Sequence, residues 1–401
     1  MYFSEAKSLN PKNSFTLVEL LIVIAIIAIL GAATIFVINP TELLKKTRDT
    51  VRISDLKNLD LALQMAELEG LDLGNPNVVY ISLPDSNSNC SSYSLPSLPS
   101  GWSYHCASEA DYRKVDGNGW IPVDFTALSS GAPFSSLPVD PINDENHYYM
   151  YFAGGSYELN TWFESQKYAK QMSQDGGDNP CLYEKGSNLS LGIEPGLVAY
   201  WKLDEGEGTM AKDSSGNNND GTLKNGPQWV EGKVGMALEF DGNDDYVDCG
   251  TPLNSPQSWS YEVFFKPFDI PDGAEGLVGE SNNPRLQWGA HWSGIPKVAG
   301  FLYDSTAGKG KTLYSNEIEI NCWHHVVMVV NTIQKRMDLY VDTNRYTLTW
   351  DETFNPNKPD ATHYLNYRDG YKLFYGIIDE VRIYNRALAE EEIKRHYWVL
   401  K

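Results

Sequence analysis

The sequence predicts an α+β N-terminal region, a long helix packed on a small antiparallel sheet, followed by an all-β sandwich. Three observations predict it. From Leu20 to Ile38 no residue carries a charge, and this apolar run passes into the pattern of an amphipathic helix. Up to residue 184, short β-branched and aromatic runs alternate with Asn/Gly/Pro/Asp turns. Beyond residue 196 at least seven more alternating runs follow without a long helical pattern, as in a two-sheet sandwich.

Composition bounds the reading. A chain of 401 residues is long enough for two or three domains. With 42% hydrophobic residues, 24 Tyr and 11 Trp it is not a mainly disordered protein. The balance of 32 Lys+Arg against 53 Asp+Glu, a net charge of -21, repels polyphosphate, so nucleic acid is not expected as a partner. A mean hydropathy of -0.38 excludes a polytopic membrane protein but not a single span.

The apolar run would form a helix of about 28 Å, close to the hydrocarbon thickness of a bilayer. Lys7 and Lys12 precede it and should stay cytoplasmic. A cleaved secretory signal could end at Gly31-Ala32-Ala33, but Glu19 at the entrance argues for an integral helix. A carboxylate in an apolar segment is costly and marks a functional residue. Pro40 should interrupt the helix, which resumes from Thr41. Leu56, Leu59, Leu63 and Ala66 form its buried stripe, and Lys45, Lys46, Arg48, Asp49, Arg52, Asp55 and Lys57 its polar face. Gly70 and Gly74-Asn75-Pro76 stop it.

Strands are expected at Val78–Ser82, Gly119–Phe125, His147–Phe152 and Ser156–Phe163. Cys90 and Cys106 flank a Ser/Pro/Tyr-rich loop that a disulfide would close in an oxidising exterior. Cys249 and Cys322 are the next pair to consider. No Cys-x-x-Cys or Cys/His cluster stands in the sequence, so zinc is not expected. Asp175 and Asp178, set among glycines in Gln174–Pro180, suit Ca²⁺ or an ordinary surface turn.

The polar stretch 185–196 reads as a linker. After it, Trp259, Tyr261, Val263 and Phe265 alternate onto one face of a half-buried strand, and Asn385–Ile393 closes the chain with a short helix. Catalysis is not expected. There is no Gly-x-Ser-x-Gly, Walker or Rossmann pattern in a usable context, and no Glu-x-Asp-x-Glu triplet of the kind glucanases carry on one strand. His324 and His325 are neighbours on a strand and so face opposite sides.

Residues 14–30, SFTLVELLIVIAIIAIL, closely resemble the processing site and N-terminal helix of type IV pilins and type II secretion pseudopilins. The resemblance implies a leader 1–14, cleavage between Ser14 and Phe15 by a prepilin peptidase, and N-methylation of Phe15. Ser14 stands where the family usually has Gly. It further implies a helix 15–70 with a transmembrane half 15–38 in the inner membrane, a globular head 71–184, and assembly with other pilin or pseudopilin subunits. Glu19 would pair with the new N-terminal amine, within one chain or between neighbours. A calcium in the last loop of the head, at Asp175 and Asp178, is also implied.

Residues 197–401 resemble a laminin-G-like or concanavalin A-like jelly roll. The resemblance rests on Gly196–Glu205, Asp213–Gly216, Asn219–Thr222, Leu238–Gly242 with Asp245–Val247, Trp323–Val326, Leu339–Asp342 and Gly376–Leu388. It implies binding of an extracellular glycan or protein, with a structural Ca²⁺ for which Asp204, Asp379 and carbonyls near Gly242 are the expected ligands. The combined expectation is a minor or tip filament subunit, inserted in the membrane and then carried to the cell surface, displaying a lectin-like domain for adhesion. The alternatives are a pseudopilin of a secretion system and a static membrane-anchored carbohydrate-binding protein.

Overall fold

The structure is a computed structural model that describes residues 16–271, 273–281, 283–289, 294–367 and 373–401, without the side chains of 29–38. Helix α1 (Leu17–Ile38) ends where Asn39 enters the left-handed region at φ 43°, and α2 (Pro40–Leu68) starts with Pro40 in its first turn. Proline is tolerated there because the first helical N–H has no partner in any case. The Asn39 side chain caps the new helix, accepting from the Glu42 N–H at 3.3 Å. Among the described residues no helix is long and apolar enough to cross a membrane; in α1 the described side chains run only to Ala28.

Leu56, Leu59, Leu63 and Ala66 are fully buried, as the helical spacing predicts. Each leucine so placed contributes about 2 kcal/mol over the exposed state. The polar face is not uniformly polar, however. Asp49 and Arg52 are themselves buried. Arg52 bonds Asp140 through Nε at 2.6 Å and Nη2 at 3.0 Å, and through Nη1 reaches Asp49 at 2.8 Å and Glu164 at 2.7 Å.

Against α2 lies a five-stranded sheet of β1 (Val78–Ile81), β2 (Ser103–His105), β3 (Met150–Ala153), β4 (Tyr157–Thr161) and β5 (Tyr183–Gly186), ordered β2-β1-β3-β4-β5. It is mixed rather than antiparallel, because β1 and β2 run parallel. Helix α3 (Gln166–Met172) packs nearby. The expected strand at 119–125 is a loop. Pro122 has no N–H to give a ladder, and Trp120, Ile121 and Val123 enter the core as loop side chains. The stretch read as a linker begins as the edge strand β5.

The second half holds β6 (Leu197–Trp201), β7 (Met210–Ala211), β8 (Gly221–Lys224), β9 (Gln228–Glu231), β10 (Met236–Asp241), β11 (Tyr246–Asp248), β12 (Ser258–Pro267) and β13 (Ala274–Glu280). It continues with β14 (Arg285–Gly289), β15 (Lys297–Asp304), β16 (Lys309–Tyr314), β17 (His324–Asn331), β18 (Arg336–Val341), β19 (Asn344–Thr349), β20 (His363–Leu365) and β21 (Tyr375–Tyr384), then helix α4 (Glu390–Leu400). One sheet runs β19-β18-β17-β12-β21-β10-β9 with β6 also on β21; the other runs β16-β15-β14-β13-β20-β11-β8-β7. This is the two-sheet sandwich the strand pattern predicts.

Trp259, Tyr261, Val263 and Phe265 line its core as expected. The other face of β12 is not open to solvent: Ser260, Glu262 and Phe264 are buried too. The reason is α4, which starts five residues later than the sequence pattern places it and lies beside α3 of the head. Phe264, Val399 and Leu400 join the apolar core of the head.

Candidate functional site

Ser14 and Phe15 lie outside the described residues. Glu19 is exposed and closes a capping box at the start of α1: Thr16 N–H and Oγ1 donate to its Oε2 at 2.9 and 2.7 Å, and its own N–H donates to Thr16 Oγ1. The carboxylate thus satisfies orphan groups of its own helix.

Cys90 and Cys106 form a disulfide, while Cys181, Cys249 and Cys322 are free. Cys249 is buried and Cys322 exposed, so the structure does not join them.

The last loop of the head gathers more acid than the sequence suggests. Glu158 on β4 and Glu184 on β5 are buried beside Asp178. Burial, followed for Glu184 by repulsion from Glu158 and Asp178, pushes the carboxyl pKa values up. Asp178 is raised by burial as well. Glu158 Oε1 and both polar atoms of buried Asn160 make no well-formed hydrogen bond, although the Asn160 amide is close enough to Glu158 to act on it. Asp175 has another task. Its oxygens accept from Gly177 and Glu184 N–H at 2.9 and 2.7 Å, which fixes the loop. Glu184 Oε2 likewise accepts from Asn179 N–H at 3.1 Å, so the acids of this cluster also fasten the loop. Alternation in Tyr157–Thr161 places Glu158 and Asn160 on one face, but a polar face reads as solvated. Only the covering loop, whose Leu191 and Gly192 N–H groups donate to Glu158, makes it an interior.

In the sandwich the expected ligands do not form one site. Asp379 accepts from Lys233 and Val234 N–H at 2.8 and 3.0 Å, and Asp204 from Met236 N–H at 2.7 Å. Both staple the β9–β10 turn, and the second oxygen of Asp379, Oδ1, is buried without a hydrogen-bond partner. Burial, then Glu380, raises the Asp379 pKa to about 8. Gly242 lies at the far end of β10, where Asp241, Asp244 and Asp245 bring carboxylate oxygens within 4.8 Å of one another. Next to that turn Tyr246, Tyr364 and Tyr367 form a half-exposed trio, with ring centroids 4.6 to 5.9 Å apart. Asn366 ties it down, donating to the Asp245 carbonyl at 2.9 Å.

His324 and His325 face opposite sides as expected. His324 bonds Asp342 and the Glu319 carbonyl, both at 2.8 Å. His325 Nε2 meets Glu262 at 2.7 Å. The same Glu262 holds His396 Nδ1 at 2.9 Å. Burial opposes protonation of His396, but Cys181 and Glu262 beside it outweigh that and hold its pKa well above the usual histidine value. His396 borders a cleft of about 890 Å³ between head and sandwich.

A family model described as "Concanavalin A-like lectin/glucanases superfamily" matches residues 241–394, and one described as "Prokaryotic N-terminal methylation motif" matches residues 9–35. Among curated proteins none matches the chain. Among solved structures, domain 4 of AbnA, an extracellular arabinanase from Geobacillus stearothermophilus, in complex with arabinotriose, is 20% identical; 49% of this chain covers 96% of it, with a TM-score of 0.41. The binding domain of Paraclostridial Mosquitocidal Protein 1 is 18% identical over 50% of this chain and 52% of its own, with a TM-score of 0.42. Trypanosoma rangeli sialidase is 11% identical over 63% of this chain and 48% of its own, with a TM-score of 0.40. The chain thus spans about half the length of the last two. It joins a prokaryotic N-terminal methylation motif to a concanavalin A-like, laminin-G-like domain.

Proposed function

We propose that the chain is a pilin-like filament subunit that displays its sandwich domain for adhesion, as a minor or tip component. Prepilin peptidase cuts between Ser14 and Phe15, Phe15 is methylated, and α1 passes from the inner membrane into a filament of related subunits at the cell surface. The motif match at one end of the chain and the concanavalin A-like match at the other carry the reading. The exposed apolar side chains from Leu17 to Ile27 agree with it, since such a surface must be covered by lipid or by neighbouring helices. In the assembled state Glu19 exchanges its own cap for the amine of Phe15.

The sandwich binds rather than cleaves. The tyrosine trio offers aromatic faces on which sugar rings of an extracellular glycan stack, and the acidic turn beside it offers acceptors for hydroxyls. In the head, Glu158, Asn160, Asp178 and Glu184 hold a Ca²⁺ whose loop Asp175 shapes. That acidic last loop also agrees with the second reading, a secretion pseudopilin, because major pseudopilins hold calcium in their last loop.

Mass spectrometry of the N-terminus of the membrane-extracted protein tests the processing. A methylated Phe15 is expected; an intact Met1 or a start at Thr34 overturns it. The chain should be recovered in sheared surface filaments at well below the amount of the main subunit, and deleting it should reduce adhesion while leaving protein export intact. Stalled export would favour the secretion reading. Tyr364→Ala with Tyr367→Ala should abolish binding to a glycan array without altering the fold.

A further inference from the structure

The end of α1 opens onto a groove of about 490 Å³. Asn39 and Lys45 stand on one side of it, and Lys394, Tyr397, Trp398 and Lys401 of the α4 end on the other. Lys45 follows Asn39 by less than two helical turns, about 9 Å of rise. With α1 in the bilayer as far as Ile38, the groove stands at the headgroup layer, which is about 5–8 Å deep on each side.

The groove departs from the acidity of the chain, whose net charge is -21. The acids close to it are already engaged. Glu42 accepts from Gln166 N–H at 3.0 Å, Glu390 from Lys394 and Arg345 at 2.6 and 2.8 Å, and Glu391 from Lys45 at 2.9 Å. Asp342 pairs with His324 at 2.8 Å. Lys233 and Lys401 make no ion pair with an acidic side chain among the described residues. Lys233 Nζ bonds the main-chain oxygen of Lys401 at 3.0 Å, which holds it at the end of α4, and α3, carrying exposed Lys170, packs on the same helix. Burial, then the charges of Lys401 and Lys170, lower the Lys233 pKa, as expected where ammonium groups gather.

Trp398 packs against the apolar core of the head and stays partly exposed. Beside it the Lys401 ammonium stands 5.0 Å from the centre of the Tyr397 ring. Partly exposed Trp and Tyr among lysines is the composition of a membrane–water interface, where the rings sit at headgroup level and the ammonium groups meet lipid phosphates.

We propose that the groove between the α1–α2 junction and α4 binds the headgroup of an anionic phospholipid, so that the last helix of the chain rests on the membrane before assembly. The inference rests on the reading that α1 enters that membrane. Lipid is then always within reach, because the chain that forms one wall of the groove emerges from the bilayer itself.

The test uses the full chain in nanodiscs of phosphatidylcholine, with brominated phosphatidylglycerol or brominated phosphatidylcholine added at equal mole fraction. Tryptophan fluorescence is read for wild type and for Trp398→Phe, and the difference isolates Trp398 among the 11 tryptophans. One lysine at an anionic surface favours it by about fivefold. Brominated phosphatidylglycerol should therefore quench Trp398 several-fold more strongly than brominated phosphatidylcholine, and Lys233→Gln with Lys401→Gln should erase the preference. Equal quenching by the two lipids, or a preference that the double variant keeps, overturns the proposal. So does a Trp398 that neither lipid quenches, including one over which a second copy is cross-linked. Alkaline washing of vesicles carrying the chain separates the two readings. A chain that washes off refutes the membrane helix and the lipid site together; one that stays while Trp398 shows no preference refutes the lipid site alone.

Discussion

Replacing Arg52 by Met should destabilise the head more than any surface change, because it strands charge in the interior. The guanidinium makes four short bonds to Asp49, Asp140 and Glu164, and the Arg52 and Asp49 side chains are wholly buried. Breaking one side of such a buried pair costs about 3–5 kcal/mol. The lower end applies here, since Asp49 keeps the Glu164 and Ser165 N–H groups and Asp140 keeps that of Ile142. A loss of about 3 kcal/mol lowers the midpoint of a domain this size by about 6–12 °C. The pH dependence gives a second readout. Burial opposes ionisation of Glu164, but Arg48 and Arg52 outweigh it and hold its pKa at about 2. A carboxylate lowered in this way stabilises the fold above its unfolded value, and the gain disappears as pH falls towards about 2. In Arg52→Met that acid transition should move to higher pH. Thermal unfolding of the detergent-solubilised chain from pH 2 to 7 measures both effects. A midpoint within about 2 °C of wild type, with the acid transition unmoved, would refute the assignment.

Asp379→Asn should have the opposite pH signature. A carboxyl whose folded pKa is raised to about 8 gives its full stability below the unfolded value and loses it as pH climbs towards 8. Asparagine keeps an acceptor for the Lys233 and Val234 N–H groups and does not ionise. The variant should therefore overtake wild type as pH rises from 5 to 8; parallel stability curves would contradict the burial argument. Calcium should raise the unfolding midpoint of the head more at pH 8 than at pH 5, since it must displace protons from Glu158 and Glu184, and Glu184→Gln should remove most of the gain. An equal shift at both pH values would point to another site. Replacing Cys90 and Cys106 by Ser should cost about 3 kcal/mol and make the melting curve indifferent to reductant. A reductant effect that persists in the variant would show that another bridge is at work.

Legibility in the sequence followed periodicity. Leu56, Leu59, Leu63 and Ala66 announce a buried face by their spacing, and Trp259 to Phe265 do the same at the period of a strand. The failures share one physical cause: a side chain's surroundings depend on what covers it. Arg52 and Asp49 read as a solvated face because nothing nearby in sequence says that Asp140 and Glu164 close over them. Glu262 reads as the outer face of a half-buried strand because α4, more than a hundred residues later, is what buries it. Gly119–Phe125 has strand composition and forms a loop because Pro122 cannot pair. Of the expected site residues, Cys90 and Cys106 were legible from spacing and compartment. Asp204 and Asp379 do meet at the β9–β10 turn, while Gly242 lies at the other end of β10, a separation that motif order does not show.

The packing of α4 against the head has a mechanical consequence. Lys45 on α2 grips Glu391 on α4 at 2.9 Å, Lys202 of the sandwich reaches the Asp178 carbonyl at 2.7 Å, and Phe264, Val399 and Leu400 sink into the core of the head. These contacts lie in parallel with the covalent segment that follows β5. A pull applied to the sandwich is therefore shared by a bonded surface before that segment is drawn taut, and part of the load enters α2 directly. Under such a pull the two halves respond as one stiff unit, not as a weight on a string.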